Sequence, residues 1–504
     1  MLGKAFGEFT NEDGMDRTIV RKRDQRRGLR GTPPASPVVV PRRGSWLKTS
    51  LMLGLWGLLW GGYNTGLLYL QSSQYPSNPT YLAHGTRALF PVLAGWISLL
   101  VLLTRAKDVM RWIMGPLGLI LLYACLGLAS SITISELPSE AIYWGVNYLS
   151  IVLVMLAIVS LEYDLPDLSK LLVFNWIIAI VLTFSLLGAV PFLGGFSSGG
   201  SDTGVYTETG VRSAYNGGGT ILGMASSRNT GFGRYAAIAA LASLARFRTG
   251  SRRHRIVWGT IFVIATYGLV LSNGRTEVFS FIISAFLVMY ADKSKRVIYF
   301  LVGICFAILL GFKGFYHAFF MYFTRTGHLD FTMTGRTLVW QQGLQLLNQS
   351  PWVGLGFQAD RIYLRFQHMH NAFLSALIQS GVIGACALFL GLTIVVYLIA
   401  RYFFLHPLRN KDLIPAEIPG IFLFVIVSSM TESTFAYFSA AWLLSAPIVV
   451  YVLVLDQQVR QAGMAAAKEK TKKMMSDWRE SRKEVTATTE GILPSTLDGL
   501  PHRR

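Results

Sequence analysis

Apolar runs of about 18 or more residues recur along most of this chain, and that recurrence limits its fold more than any other feature. Each run is long enough to cross the hydrocarbon core of a bilayer, and a water-soluble core has no use for so many. The runs fall near 50–70, 88–104, 113–134, 145–161, 171–192, 231–246, 256–272, 277–291, 298–312, 373–400, 415–432 and 438–455. They predict an all-α, polytopic transmembrane bundle of about twelve helices forming one membrane domain over 46–456. Charged residues make up 14% of the chain, against about 25% in soluble domains. Cys125, Cys305 and Cys386 all lie inside apolar runs, with no spacing that reads as a disulfide framework or a metal motif. The first apolar run starts too far in, and is too long, for a signal peptide.

The net charge of +19 is concentrated at the ends. Residues 1–45 are polar, basic and partly Pro-rich, which predicts disorder, and 457–504 form a second basic tail. Such ends suit anionic lipid or nucleic acid. Here they read as cytoplasmic flanks held by the positive-inside rule, with no nucleic-acid partner expected. An even number of spans places both ends on one side. The loops agree: Arg105, Lys107 and Arg111, the Arg246–Arg255 cluster, Lys293–Arg296 and Arg401–Lys411 fall on that side, while 71–86 and 135–144 on the other contain no Lys or Arg. Two long loops, 193–230 and 313–372, lie on the outer side. Loops of that length are usually functional, and the second is expected to contain short helices.

The outer loops and their edges carry Arg212, Arg228, Arg234, Arg275, Arg325, Arg336, Arg361 and Arg365, with almost no lysine. Arginine keeps its charge when desolvated and offers a planar fork of donors that fits phosphate or carboxylate. Arg212 and Arg361 read as ordinary loop arginines, in water or paired with Asp330, Asp360 or Glu208. Arg275, in Ser272-Asn273-Gly274-Arg275-Thr276 between two apolar runs, and Arg234, at a helix start, sit so near the hydrocarbon that they must face a polar cavity or snorkel to the interface. Arg336 falls in the first turn of a helical pattern opened by Thr334. The helix dipole disfavours a cation there unless an anion occupies the same place. Trp340 lies one turn further on the same face, as a partner of that anion site or as packing. In His368-Met369-His370-Asn371, Asn371 is placed to cap the following helix, and His370 is placed at the membrane boundary to take or orient a proton. Glu432, an acid at the outer end of an apolar run, is either functional or a salt-bridge partner of one of the arginines.

Gly335-Arg336 with Trp340, then Pro351, Gly354-x-Gly356, and His370-Asn371 running into Gly381 and Gly384, resemble the signature of the O-antigen ligase and polymerase superfamily. With Asn229–Arg234 and Ser272–Arg275 upstream, the resemblance covers about 225–440, departing near Arg234, where many relatives have asparagine. It implies a bacterial inner-membrane enzyme with its active site in a periplasmic loop. Such an enzyme moves a glycan from an undecaprenyl diphosphate carrier to an acceptor, with no metal or other cofactor. The acceptor would be lipid A–core for a ligase, or a second lipid-linked glycan for a polymerase of O-antigen, capsule or exopolysaccharide. The resemblance assigns catalysis to His370, Arg336 and Arg275, with Arg234 assisting as a substrate-binding candidate; the residues themselves add Trp340, Asn371 and Glu432 as substrate-binding candidates. A transporter or flippase of the same lipid-linked glycan is the reading from another class. It would require polar residues through the depth of the membrane.

Overall fold

The computed structural model describes residues 46–63, 86–189, 229–249, 251–272, 274–290, 336–364, 368–405 and 414–490. The expected disordered N-terminus, the apolar run 298–312 and the loop 193–228 lie outside the described residues. Among the described residues there is no strand. The helices are α1 Trp46–Gly61, α2 Phe90–Thr104, α3 Ala106–Ile113, α4 Pro116–Thr133, α5 Pro138–Ser160, α6 Leu165–Ala189, α7 Asn229–Thr249, α8 Arg252–Leu271, α9 Arg275–Tyr290, α10 Arg336–Leu347, α11 Ala359–Tyr363, α12 Ala372–Ala400, α13 Glu417–Ser429 and α14 Ala440–Glu490. The chain is an all-α membrane bundle, and eleven of the twelve apolar runs contain one of these helices. Six helices are long and apolar enough to cross a membrane, or seven if α2 and α3 are taken together across their 107° bend.

Local chemistry accounts for several boundaries. Proline stands in the first turn of α2, α4 and α5, where its missing N–H costs no helical bond. Helix α3 is amphipathic: Val109 and Trp112 are buried, while Lys107 and Arg111 are exposed. The long 313–372 loop of the sequence reading does hold short helices, α10 and α11.

Two helices form the centre. In α7 every residue from Tyr235 to Ala242 is fully buried, five of the eight being alanine. Such small side chains let α6, α8, α9 and α13 approach closely. The apolar half of α14 packs against α5, α6, α12 and α13. It contains Pro447, which cannot donate a backbone hydrogen bond to Leu443. Asn175 Nδ2 of α6 supplies that bond instead, 3.1 Å from the Leu443 carbonyl oxygen. Its Oδ1 in turn accepts from the indole N–H groups of Trp56 and Trp60, both at 2.9 Å. One buried amide thus ties α1, α6 and α14 where no water can replace the bonds.

Helix α12 was expected as one apolar helix, but it is broken at Gly381, with φ +64°. The segment 351–356 fills the break. Leu355 and Gly356 N–H groups donate to the Ile378 and Gln379 carbonyls (2.7 and 2.9 Å), while the Val382 and Ile383 N–H groups donate to Pro351 and Trp352 (2.8 and 3.3 Å). The two backbones lie so close that a Cβ on Gly381 would sit 2.2 Å from the Trp352 carbonyl carbon, and one on Gly354 2.5 Å from Gln379. The next residue, Phe357, enters a slot between α4 and α5, where Gly127 and Gly145 leave room for its ring. The loop is therefore fastened to the bundle before it reaches α11.

Candidate active site

The sequence-selected residues gather where chain ends meet: the starts of α7, α9, α10 and α12, and the turn 430–439 between α13 and α14. Helix α13 has only 13 residues, about 20 Å, which is short of a full span. Irregular backbone therefore begins early and is satisfied by side chains from neighbouring elements. Asn371 Nδ2 donates to the Met430 carbonyl (3.1 Å), Arg336 Nη1 to Thr431 (3.1 Å), Tyr148 to Phe435 (3.0 Å) and Tyr123 to Ala436 (2.9 Å).

Glu432, in this turn, bridges two groups. Its Oε2 lies 2.8 Å from Arg234 Nη2, and its Oε1 lies 3.2 Å from His370 Nδ1. Burial pushes its carboxyl up, but the Arg234 charge and the His370 hydrogen bond outweigh burial and hold it far below the usual carboxylate range. An ionised carboxylate can only accept, so the shared proton belongs to His370 Nδ1, which leaves Nε2 as the basic nitrogen of the neutral ring. Arg234 also faces Glu277, but its Nε and Glu277 Oε1 are 3.7 Å apart, too far for a hydrogen bond, and both atoms are buried without one. Gly233 and Gly274 admit the Glu277 side chain between α7 and α9: a Cβ on Gly274 would lie 2.5 Å from Glu277 Oε2.

The His368–His370 segment is held from several sides. Asn371 caps α12 as expected, accepting from Phe373 and Leu374 N–H groups at 2.9 and 3.1 Å. Trp340 Nε1 donates to the Met369 carbonyl at 2.7 Å. Asp360 accepts from the Met369 N–H (3.1 Å) and from the Tyr437 hydroxyl. His370 itself has φ +48°, a left-handed conformation that costs a non-glycine residue about 1–3 kcal/mol. Its N–H donates to His368 Nδ1 at 2.8 Å, so His368 carries its proton on Nε2. Burial, with the Arg361 charge next, pushes the His368 imidazole well below its ordinary pKa, so it stays neutral. His370, 38% exposed, is the histidine a substrate can reach.

Arg336 is the first residue of α10, as expected. Only one of its N–H donors has a protein partner among the described residues, the Thr431 carbonyl. Arg275 is the first residue of α9, two positions before Glu277. The structure brings Arg234, Arg336, Trp340, His370, Asn371 and Glu432 into one bonded network. Of the partners considered for Arg361, Asp360 is taken by Tyr437 and Met369, and Asp330 and Glu208 lie outside the described residues. Glu277, His368, Asp360 and Tyr437 were missed as parts of the site. Glu277 had a legible signal, being an acid in the first turn of an apolar run. Among the described residues no three His, Cys, Asp or Glu side chains are grouped as metal ligands would be.

Comparison with known proteins bears on the part of this network between α9 and α12. Residues 260–390 match the O-antigen ligase family. A second match is the exopolysaccharide production protein ExoQ of Rhizobium meliloti (strain 1021), 38% identical over 71 aligned residues, which are 11% of this chain and 16% of that protein. The aligned stretch thus spans less than a fifth of that relative. The family match takes in Arg275, the first residue of α9, with Arg336, the Gly354–Gly356 segment, the His370–Asn371 helix start and the Gly381 break, and over that segment the chain is similar to the O-antigen ligase family.

Proposed function

We propose that the chain is a glycosyltransferase that moves a glycan from undecaprenyl diphosphate to an acceptor hydroxyl at the outer, periplasmic face of the bacterial inner membrane. The observation that carries the reading is the Glu432–His370 pair, with Arg336 bonded to the residue before Glu432. In the proposed step the acceptor oxygen attacks the anomeric carbon. The bond from that carbon to the diphosphate oxygen breaks, and its electron pair leaves with the diphosphate. The acceptor proton passes to His370 Nε2, which Glu432 has left unprotonated. Arg336 and Arg275 receive the charge that grows on the departing diphosphate, from donors set before the reaction begins. Arg234 and Glu432 act through His370, and Trp340 and Asn371 position its backbone, instead of binding substrate themselves.

A transporter is less well supported. Among the described residues the charges collect at two ends of the bundle, this site and the opposite end with Arg246–Glu417 and Arg401–Asp456. No ladder of charges joins them. The family description favours ligation as the outcome. The printed name of the Rhizobium relative favours the second reading, polymerisation of an exopolysaccharide.

The test is transfer by the purified protein from an undecaprenyl diphosphate-linked glycan, in EDTA, with lipid A–core present or absent. Product that needs lipid A–core marks a ligase; longer lipid-linked chains without it mark a polymerase. Normal turnover by folded Arg336→Ala and His370→Ala variants would refute the mechanism.

A further inference from the structure

Helix α11 holds a cation that the fold does not use. Arg361 makes no side-chain hydrogen bond or ion pair among the described residues, and its Nε is buried. Its neighbour Asp360, the natural counter-ion, is fully buried and committed to Tyr437 and the Met369 N–H. One turn before Arg361, Gln358 is 3% exposed, and its Oε1 is also buried without a donor. A buried donor and a buried acceptor left open on one turn are each unfavourable. They persist here on a rigid support. Phe357 is locked between α4 and α5. Asp360 is bonded as above, and Tyr363 accepts from the Glu136 N–H at 3.1 Å and donates to the Ile134 carbonyl at 3.3 Å.

The site adjoins the proposed catalytic histidine. The Tyr437 ring, bonded to Asp360, is centred 5.5 Å from His368, and His368 is centred 4.5 Å from His370. Arg336 approaches His370 from another side, through the turn at Thr431. The carrier diphosphate can satisfy Arg361 but not Gln358, because it offers acceptors only. A sugar with an acidic substituent offers both an anion for the guanidinium and hydroxyl donors for the amide oxygen.

Resting on the transferase reading, we propose that Gln358 and Arg361 form a subsite for an acidic sugar of the glycan, separate from the arginines that face the carrier diphosphate. The enzyme would therefore prefer a glycan bearing a carboxylate or similar anion within a unit or two of the reacting end. The charge of Arg361, already one cause of the neutrality of His368, is compensated when that sugar binds.

Binding to the purified full-length protein tests this without turnover, so an inactive preparation still reports on the subsite. The probes are a galacturonic acid trimer, its methyl ester, and inorganic pyrophosphate. Wild type should bind the acid about 10–100-fold more tightly than the ester, the size of one charge-assisted contact. Arg361→Gln should bring that ratio to about one and leave pyrophosphate binding unchanged. Arg361→Lys should keep part of it, and Gln358→Leu should weaken acid and ester alike. The melting temperature of Arg361→Gln should stay level, since the side chain is half-buried and makes no hydrogen bond that the fold relies on. Equal binding of acid and ester by wild type overturns the proposal. So does a loss of pyrophosphate binding in Arg361→Gln that matches the loss of acid binding, or a marked drop in its melting temperature.

Discussion

Replacing Glu432 by glutamine keeps the shape of the side chain and removes the charge that Arg234 and His370 share. Breaking a buried ion pair by removing one partner costs about 3–5 kcal/mol. Here both side chains are about one-tenth exposed, and Arg234 keeps Glu277 at 3.7 Å. A loss of about 2–3 kcal/mol is therefore expected. Adding Arg234→Gln should recover part of it, so a double-mutant cycle on unfolding in detergent should give a coupling of about 1–3 kcal/mol. The effect on turnover should be larger than a stability change explains. Glutamine can present its N–H₂ to His370 Nδ1 and place the imidazole proton on Nε2, the nitrogen that must be free. The wrong tautomer in a comparable carboxylate–histidine pair costs about 10⁴-fold, and 10²–10⁴-fold is expected here, or about 3–5 kcal/mol of barrier. Because Glu432 does not touch the donor in the proposed mechanism, kcat should fall while KM for the lipid-linked glycan stays nearly constant. A folded Glu432→Gln enzyme within about threefold of wild-type kcat would show that Glu432 does not set the proton on His370, and the mechanism would fall with it.

Three other outcomes follow from the same geometry. His368 is buried and its folded pKa lies below the unfolded value, so its contribution to stability is present above about pH 6.5 and is lost as the pH falls below it, by up to about 1.4 kcal/mol per unit. Unfolding of His368→Gln between pH 7.5 and 5.5 should show a flatter profile, and an unchanged slope would rule this out. Gly381→Ala places a Cβ in the Trp352 backbone at positive φ and should cost more than about 3 kcal/mol, seen as loss of monodisperse protein on gel filtration; normal yield and melting would contradict the crossed-backbone geometry. Asn371→Ala removes the α12 cap and should cost about 1 kcal/mol, whereas Asn371→Asp should retain the cap and lose only the bond to Met430; equal destabilisation by the two would argue against capping as the role.

What the sequence revealed was local, and what it hid was long-range. The apolar runs, the Asn371 cap and Arg336 at a helix start depend on residues within a turn or two; the cap and the helix start are found where the pattern put them, and so are the helices of eleven of the runs. The Gly381 break was concealed because its hydrogen bonds go to 351–356, some thirty residues away, and the run reads as apolar throughout. Glu432 was legible as an acid at a membrane edge, but its two partners, at positions 234 and 370, come from other helices. Arg361 looked ordinary because an acid stands beside it in sequence. Only the tertiary structure shows Asp360 already spent on Tyr437.

Helix α14 begins at Ala440, one residue beyond the turn that carries Glu432, and runs unbroken to Glu490, about 75 Å at 1.5 Å per residue. About a third of the way along it is clamped at Asp456, which meets Arg460 at 2.7 Å and the Tyr402 hydroxyl at 2.6 Å. Beyond that clamp its described side chains are almost all exposed. The helix is therefore one rod anchored at its inner end: its apolar part is held by α5, α6, α12 and α13 and Pro447 is braced by Asn175, so the turn beside His370 and the exposed arm near Lys472 lie at two ends of a single element. Probes at Ser439 and Lys472 should therefore stay about 50 Å apart, and a shorter distance would show that the rod bends.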